Sequence, residues 1–258
     1  MVEAMSAAKP ILFMNQRLGH NERVDMDNLR GKTILVLGGS GALGSLLVSR
    51  LSAQGAQVMA TATSNERGAH IPTVASPRLL LDLERPESIE VLVNYLIQSG
   101  ATIDGIVNAT GVVAFGSASE LTASTLAKLT AVNFTGPIAI ISGLLPALRT
   151  SAAAGNEPFV VNISGVVVES PMAGLAAYSA TKAGLWAFDQ ALAREVRKDG
   201  IRVIDARPGH TETGLATRAI SGTAPAFPTG MTPESVADRI VRAILGGETD
   251  LPSTAFAG

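Results

Sequence analysis

The chain has 258 residues, is 47% hydrophobic and 16% charged, and carries a formal net charge of −2. That length and apolar content supply one large domain or two small ones with a sizeable core, and no basic run marks a nucleic-acid or membrane surface. There is no cysteine, so disulfides and thiolate chemistry are excluded and a reducing compartment fits; the histidines (His20, His70, His210) are scattered and no metal-ligand cluster is visible.

Residues 1–30 differ from the rest. Asn15, Gln16, His20 and Asn21 stand among scattered charges with little periodicity. This reads as an arm that packs on the surface or on a neighbouring subunit. It lacks a secretory pattern: the apolar run Ile11 to Met14 is short, and Lys9 and Pro10 precede it. No run of about 18 apolar residues marks a membrane span, and a soluble cytoplasmic protein with no membrane partner is expected.

From Lys32 the pattern changes to short apolar runs alternating with amphipathic stretches. Thr33 to Leu37 is a β-rich run that ends in glycines, and Ala42 to Gln54 follows with helical spacing and Gly55 as its cap. Strands are predicted at Gln57 to Thr61, Arg78 to Asp82, Ile103 to Asn108, Pro158 to Ile163 and Ile201 to Ala206. Helices are predicted at Pro86 to Gln98, from Leu121 through Pro137 and Pro146 to Leu148, and around Tyr178 to Lys198. A last one starts at Thr232-Pro233. Strands alternating with helices imply an α/β fold, a doubly wound parallel sheet in a single domain over 31–258. Residues 212–230, with Gly214, Gly222, Pro225, Pro228 and Gly230, read as an irregular loop over a site.

Chemistry concentrates at a few places. Gly38-Gly-Ser40-Gly41-Ala42-Leu43-Gly44 follows a predicted strand and opens a predicted helix. Glycines permit a tight turn and close approach of a phosphate, and free N–H groups at a helix start favour an anion. The second strand ends Ala60-Thr61-Ala62-Thr63-Ser64, without the acidic residue that in many dinucleotide sites holds the ribose 2′-OH of NAD. Thr61, Thr63 and Ser64, with Arg67, offer donors to a 2′-phosphate instead. Asp82 can accept from an adenine amine or cap the next turn. Tyr178 and Lys182 sit four apart on one helical face. A phenol ionises near pH ~10, and a neighbouring ammonium lowers that value, so the pair has the makings of a general acid/base.

In order, Gly38-x-x-Gly41-x-x-Gly44, Asn108-Ala109-Thr-Gly111, Asn133, Ser164, Tyr178-x-x-x-Lys182 and Pro208-Gly209-His-Thr211-Glu-Thr213 resemble the short-chain dehydrogenase/reductase family. The run from Ala60 to Ser64 is similar to that of its NADPH-dependent 3-oxoacyl-(acyl-carrier-protein) reductases. The resemblance implies a Rossmann fold and a catalytic set of Tyr178, Lys182, Ser164 and Asn133. Tyr178 exchanges the proton, Lys182 holds the nicotinamide ribose, and Asn133 kinks a helix and binds a relay water. The cofactor is implied to lie on Gly38, Ser40, Gly41, Leu43 and Gly44, then Thr61, Thr63, Asp82 and Leu83. It continues along Asn108, Ala109 and Gly111 to Tyr178, Lys182, Pro208, Gly209, Thr211 and Thr213.

Three positions depart from the family. Ala42 stands where the most common turn has its middle glycine. The fourth-strand motif reads Asn-Ala-Thr-Gly. The usual serine place, thirteen residues before Tyr178, is Gly165, with Ser164 one residue earlier. In a strict strand Ser164 faces away from the substrate; a turn at Gly165 can bring it round, and Ser170 is a distant second candidate. His210, Met172, Leu175, Leu215 and Phe227 flank the implied pocket. The expected activity is hydride transfer between NADP(H), favoured over NAD(H), and a small carbonyl/alcohol substrate. Homodimers or homotetramers are expected through helices such as 121–148 and 178–198. A cofactor-binding protein impaired in catalysis, or a non-redox enzyme on the same fold, are the alternatives.

Overall fold

The computed structural model describes residues 29–257; the arm expected over 1–30 falls almost wholly outside them. Strands β1 (Thr33–Leu37), β2 (Gln57–Ala62), β3 (Arg78–Leu80), β4 (Gly105–Asn108), β5 (Phe159–Ile163), β6 (Arg202–Ala206) and β7 (Asp250–Leu251) form one sheet. Their order is β3-β2-β1-β4-β5-β6-β7 and every pairing is parallel. Parallel neighbours need crossovers, which helices provide: α1 (Ala42–Ala53), the short α2 (Asn65–Gly68), α3 (Pro86–Gln98), α4 (Ala123–Thr130), α5 (Gly136–Ala153), α6 (Ala176–Val196) and α7 (Pro233–Gly246). Strand order reverses between β1 and β4. In such sheets a crevice opens there at the carboxyl ends of the strands.

Both faces of the sheet are covered, which is why Ile34 to Leu37 of β1 and Phe159 to Val161 of β5 are continuous apolar runs rather than alternating ones. On one side Leu47, Val48 and Leu51 of α1 and Val236, Ile240 and Ile244 of α7 pack on Ile34, Val36 and Val161. On the other, Leu92 and Leu96 of α3, Ile140 and Leu144 of α5 and Leu192 of α6 pack on Leu35, Ile106 and Val160. Each such burial contributes roughly 1.5–3 kcal/mol. Helix ends follow local chemistry. Thr232 Oγ1 accepts the Ser235 N–H at 3.2 Å with Pro233 at the first helical position, and Gly247 closes α7 in the left-handed region at φ 73°.

Three features differ from the sequence reading. The third strand stops at Leu80, one further bond from the Leu81 N–H to the Ala62 carbonyl carrying the chain to the turn at Leu83 and Glu84. The edge strand β7 has only two residues, too few to register as a pattern. The helix across Pro137 and Pro146 is one unit, Ala123–Ala153, interrupted by a π-turn at Ala131–Thr135. Pro137 falls in the first turn after the π-turn, where its missing N–H costs little. This helix is long and apolar enough to cross a membrane, although no single apolar run shows it. Its Leu129, Ile140, Ile141, Leu144 and Leu148 are fully buried in this domain.

Candidate active site

A cavity of about 270 Å³ lies at the β1/β4 crevice. Its walls include Gly41 and Leu43 from the glycine turn, Ala109 and Gly111 after β4, Ser164 after β5, Tyr178 and Lys182 from α6, and Pro208, Gly209, Thr211 and Thr213 after β6. Segments up to 172 residues apart in sequence (41 to 213) thus meet in one place. A neighbouring cavity of about 500 Å³ shares Phe115 and Leu175 with it but contains none of the motif residues.

The glycine turn is built by close contact. Gly38 has φ 75°, and its N–H donates to Thr61 Oγ1 at 3.0 Å. A Cβ at Gly44 would lie 2.1 Å from the Gly38 carbonyl oxygen, and one at Gly39 would lie 2.7 Å from Ala60 Cβ. Only glycine lets α1 start this close to β1. No side chain caps α1 at Gly41, so its first N–H groups are free for an anion. A bare N–H cradle leading to a tyrosine and a lysine in one cavity fits a dinucleotide.

Lys182 is 4% exposed. Its Nζ donates to the Ile163 carbonyl at 2.7 Å, and burial pulls its pKa down to about 8, opposed by the charges of Asp205 and Asp189. Burial also pushes the Tyr178 phenol up to about 12. The expected lowering of the phenol by the ammonium is therefore not met: burial moves it the other way. Behind Lys182 lie two buried carboxyls. Asp189 accepts from Asn162 Nδ2 at 2.7 Å and Asp205 from Arg207 Nη1 at 2.7 Å. Burial raises the pKa of both.

The π-turn inserts Asn133 beside Val112. Asn133 Oδ1 accepts the Val112 N–H at 2.9 Å, while its Nδ2 donates to the Val112 carbonyl at 2.8 Å and to Thr181 Oγ1 at 3.3 Å. A Cβ on Gly111 would stand 3.6 Å from both Asn133 Oδ1 and Lys182 Nζ, so the two side chains flank that glycine. Asn108 is 1% exposed. It accepts from the Thr110 N–H at 3.1 Å and donates to Asn162 at 2.8 Å, tying β4 to β5.

Ser164 borders the cavity but does not expose its hydroxyl there. It is fully buried, and its Oγ makes no hydrogen bond of normal geometry. Asn162 and Ser164 share a face of the strand, and Asn162 is in register with Asp205. The serine hydroxyl accordingly sits near the Asp205 carboxyl, close enough to favour its charged form. The N–H groups of Ser164 and Gly165 both reach the Ala206 carbonyl, so the ladder ends at this pair and the backbone turns at Gly165. Gly165 lines the cavity with φ 80° and brings no hydroxyl. Ser170 is exposed and outside the cavity wall.

At the adenosine end, Thr61 is also corrected. It is 1% exposed and its hydroxyl is turned inward onto Gly38, not outward to a phosphate. Ser64 caps α2 by accepting the Arg67 N–H. Thr63 and Arg67 remain exposed, and Arg67 makes no ion pair among the described residues. Asp82 accepts the Glu84 N–H at 3.0 Å, capping its turn with one oxygen. Leu83 is buried against Gly136, and Ser40 stands in the turn but off the cavity wall.

His210, Met172, Leu175, Leu215 and Phe227 all line the cavity, as do Val113, Phe115, Thr110 and Arg218, which sequence reasoning missed. His210 stacks on Phe227 with ring centroids 4.7 Å apart. Val113 and Phe115 carried a signal, an apolar continuation of β4. Arg218 carried one too, as the single cation in the loop after Thr213.

Known proteins match this arrangement. A family model described as short chain dehydrogenase matches residues 32–223. A dehydrogenase/reductase SDR family protein 7-like from Anopheles gambiae is 29% identical over 248 residues, covering 89% of this chain and 77% of the relative. A 3-oxoacyl-(acyl-carrier-protein) reductase from Escherichia coli is 29% identical over 197 residues, covering 75% and 79%. Among solved structures, a short-chain dehydrogenase from Sphingobium yanoikuyae in complex with NADPH superposes with a TM-score of 0.77 at 25% identity, covering 86% and 87%. A 3-ketoacyl-(acyl-carrier-protein) reductase from Brucella melitensis complexed with NADH has a TM-score of 0.76 at 20% identity, covering 88% and 99%, and shares the fold.

Proposed function

The chain belongs to the short-chain dehydrogenase family and is an NAD(P)-dependent oxidoreductase of carbonyl and alcohol groups; from that premise we propose that Tyr178 is its general acid/base and NADP(H) its preferred cofactor. The observation that carries this is the meeting of Tyr178 and Lys182 with the glycine turn and the Pro208–Thr213 segment around one cavity. When bound, the nicotinamide supplies the hydride in reduction and accepts it in oxidation. Tyr178 would give its phenolic proton to the carbonyl oxygen while the carbon takes the hydride, so one carbonyl, one hydride and one proton make one alcohol, and a solvent proton restores the phenol. Burial holds the phenol at about 12, fully protonated at neutral pH, and proton transfer is eased when the Lys182 ammonium brings that value down. The Lys182 ammonium then compensates the phenolate left behind. Asn133 fixes Val112 and the floor beside Lys182.

NADP over NAD rests on the absence of an acid after β2 and on the exposed Thr63 and Arg67. Self-association through α4, α5 and α6 rests on Leu126 and Trp186, which stay 43% and 38% exposed on them; light scattering tests it. A soluble cytoplasmic setting rests on the cysteine-free composition, and fractionation tests that.

Turnover of a panel of ketones, β-ketoacyl thioesters and alcohols, followed at the nicotinamide absorbance with both cofactors, tests the activity. Tyr178→Phe is expected to lower kcat by about 10²–10⁴-fold with cofactor affinity retained; unchanged turnover removes Tyr178 from the mechanism. One observation favours a second reading, a cofactor-binding protein impaired in catalysis: neither Gly165 nor the buried Ser164 offers a hydroxyl to the carbonyl. Tight NADPH binding with no turnover across the panel selects that reading.

A further inference from the structure

The substrate side of the cavity is chemically lopsided. Val113, Phe115, Met172, Leu175, Leu215 and Phe227 make it apolar. Its charged wall residues are both basic, Lys182 at the inner end and Arg218 at the rim, with no aspartate or glutamate among them. Lys182 is spent on the Ile163 carbonyl and the buried carboxyls. Arg218 is exposed and has no ion pair among the described residues. Glu212, the acid in the same loop, accepts the Gly230 N–H at 2.8 Å and faces His210 Nε2.

Arg218 is also held in place. Its Nη2 donates to the Thr213 carbonyl at 3.3 Å. A Cβ at Gly214 would lie 2.8 Å from Nη1, so the missing side chain is what lets the guanidinium lie against the loop. The loop is stitched to the cavity wall on both sides. Ile220 N–H donates to the Val113 carbonyl at 2.8 Å and Phe115 N–H to the Ser221 carbonyl at 2.9 Å, while Glu212 N–H pairs with the Met231 carbonyl at 2.9 Å. An anchored guanidinium with free N–H groups above an apolar wall is a receptor for a planar anion.

We propose that Arg218 is the substrate's anion-binding residue, and that this enzyme takes carbonyl compounds whose apolar body ends in a carboxylate. The carbonyl lies at Tyr178, the apolar body along Phe115 and Phe227, and the carboxylate on the Arg218 fork. The proposal rests on the oxidoreductase reading for the position of the carbonyl, but its anion contact is testable without turnover.

The probes are 4-oxo-4-phenylbutanoate, its longer-chain homologues, and their methyl esters. With the wild type, the acids are expected to exceed the esters in kcat/KM by about tenfold or more, the worth of a charge-assisted hydrogen bond. In Arg218→Ala the loss for the acid exceeds the loss for the ester by a similar factor, and Arg218→Lys restores part of it. Calorimetry on the NADP⁺-loaded protein measures acid binding directly. Binding that depends on Arg218 without any reduction upholds the anion site and removes the hydride-transfer reading. Acid binding indifferent to Arg218, or equal losses for acid and ester, overturns the proposal. NADPH affinity that falls in Arg218→Ala as far as acid affinity does also overturns it, by giving the arginine to the cofactor's phosphates.

Discussion

The two ends of the active-site cavity are built on different principles. At the glycine turn, geometry is set by backbone sterics. Gly39 and Gly44 pack against Ala60 and Gly38 at distances no side chain tolerates, Gly38 turns at φ 75°, and Thr61 bonds the turn from below. Across the cavity, residues 209–231 are irregular and held by a few backbone bonds to Val113, Phe115 and Met231. On the proposed reading the first end takes a phosphate chain on its bare N–H groups. The second presents individual side chains (His210, Leu215, Arg218, Phe227) whose exchange leaves the scaffold intact. A shared cofactor and a private substrate are the expected outcome of that division.

Gly44→Ala attacks the rigid end and has the largest expected structural effect. Its Cβ falls 2.1 Å from the Gly38 carbonyl, so α1 must move off β1 at a cost of about 1–3 kcal/mol or more. A lower Tm and an NADPH Kd raised at least about tenfold are expected; unchanged cofactor binding would mean the turn is not the phosphate cradle. Gly222→Ala attacks the other end. Its Cβ meets the Phe115 carbonyl at 1.9 Å from a backbone at φ 70°. The loop is expected to lift from the wall, raising KM for substrate several-fold while NADPH titration stays close to wild type. Equal damage to both affinities would erase the distinction between the two ends.

Between the ends sits Lys182, and its titration sharpens the comparison. Its folded pKa is about 8, against ~10.4 in an unfolded chain. Between those values the unfolded chain holds more protons, so this group's contribution to stability rises with pH. Tyr178, at about 12 against ~10 unfolded, acts oppositely: between those values the native state holds more protons, and stability falls as pH rises. Denaturant melts of wild type against Lys182→Met are expected to show the wild type gaining about 2 kcal/mol relative to the variant from pH ~8 to ~10. A flat difference would mean that Lys182 is not a desolvated ammonium. Ser164→Ala carries the smallest expected effect, turnover within about twofold, because the hydroxyl lies behind the sheet face. A rate loss of about 10²-fold, the size of a lost oxyanion donor, would place the serine back in the pocket.

Much of the rigid end was legible from the chain alone. Glycines between a β-rich run and a helical one, and Tyr178 and Lys182 a turn apart, are local patterns whose geometry follows from sterics. Asn133 was read as a kink and sits in the π-turn. Thr61 was read outward and points inward, because its partner, the Gly38 N–H, is 23 residues away. The serine offset at Gly165 was visible, but which way Ser164 faces depends on its pairing with Ala206 and on Asp205. Val113, Phe115 and Arg218 lie outside any motif and became wall residues only when the loop folded back onto β4's continuation.

By itself the sequence determined the parallel sheet, the cradle after its first strand and the tyrosine–lysine face, since each depends on neighbours within a few residues. The tertiary structure alone decided which hydroxyls enter the cavity, how strongly burial shifts the phenol and the ammonium, and that a guanidinium with no ion pair among the described residues overlooks the apolar wall. Those are properties of surroundings assembled from distant segments, and desolvation and side-chain direction do not exist until the segments meet.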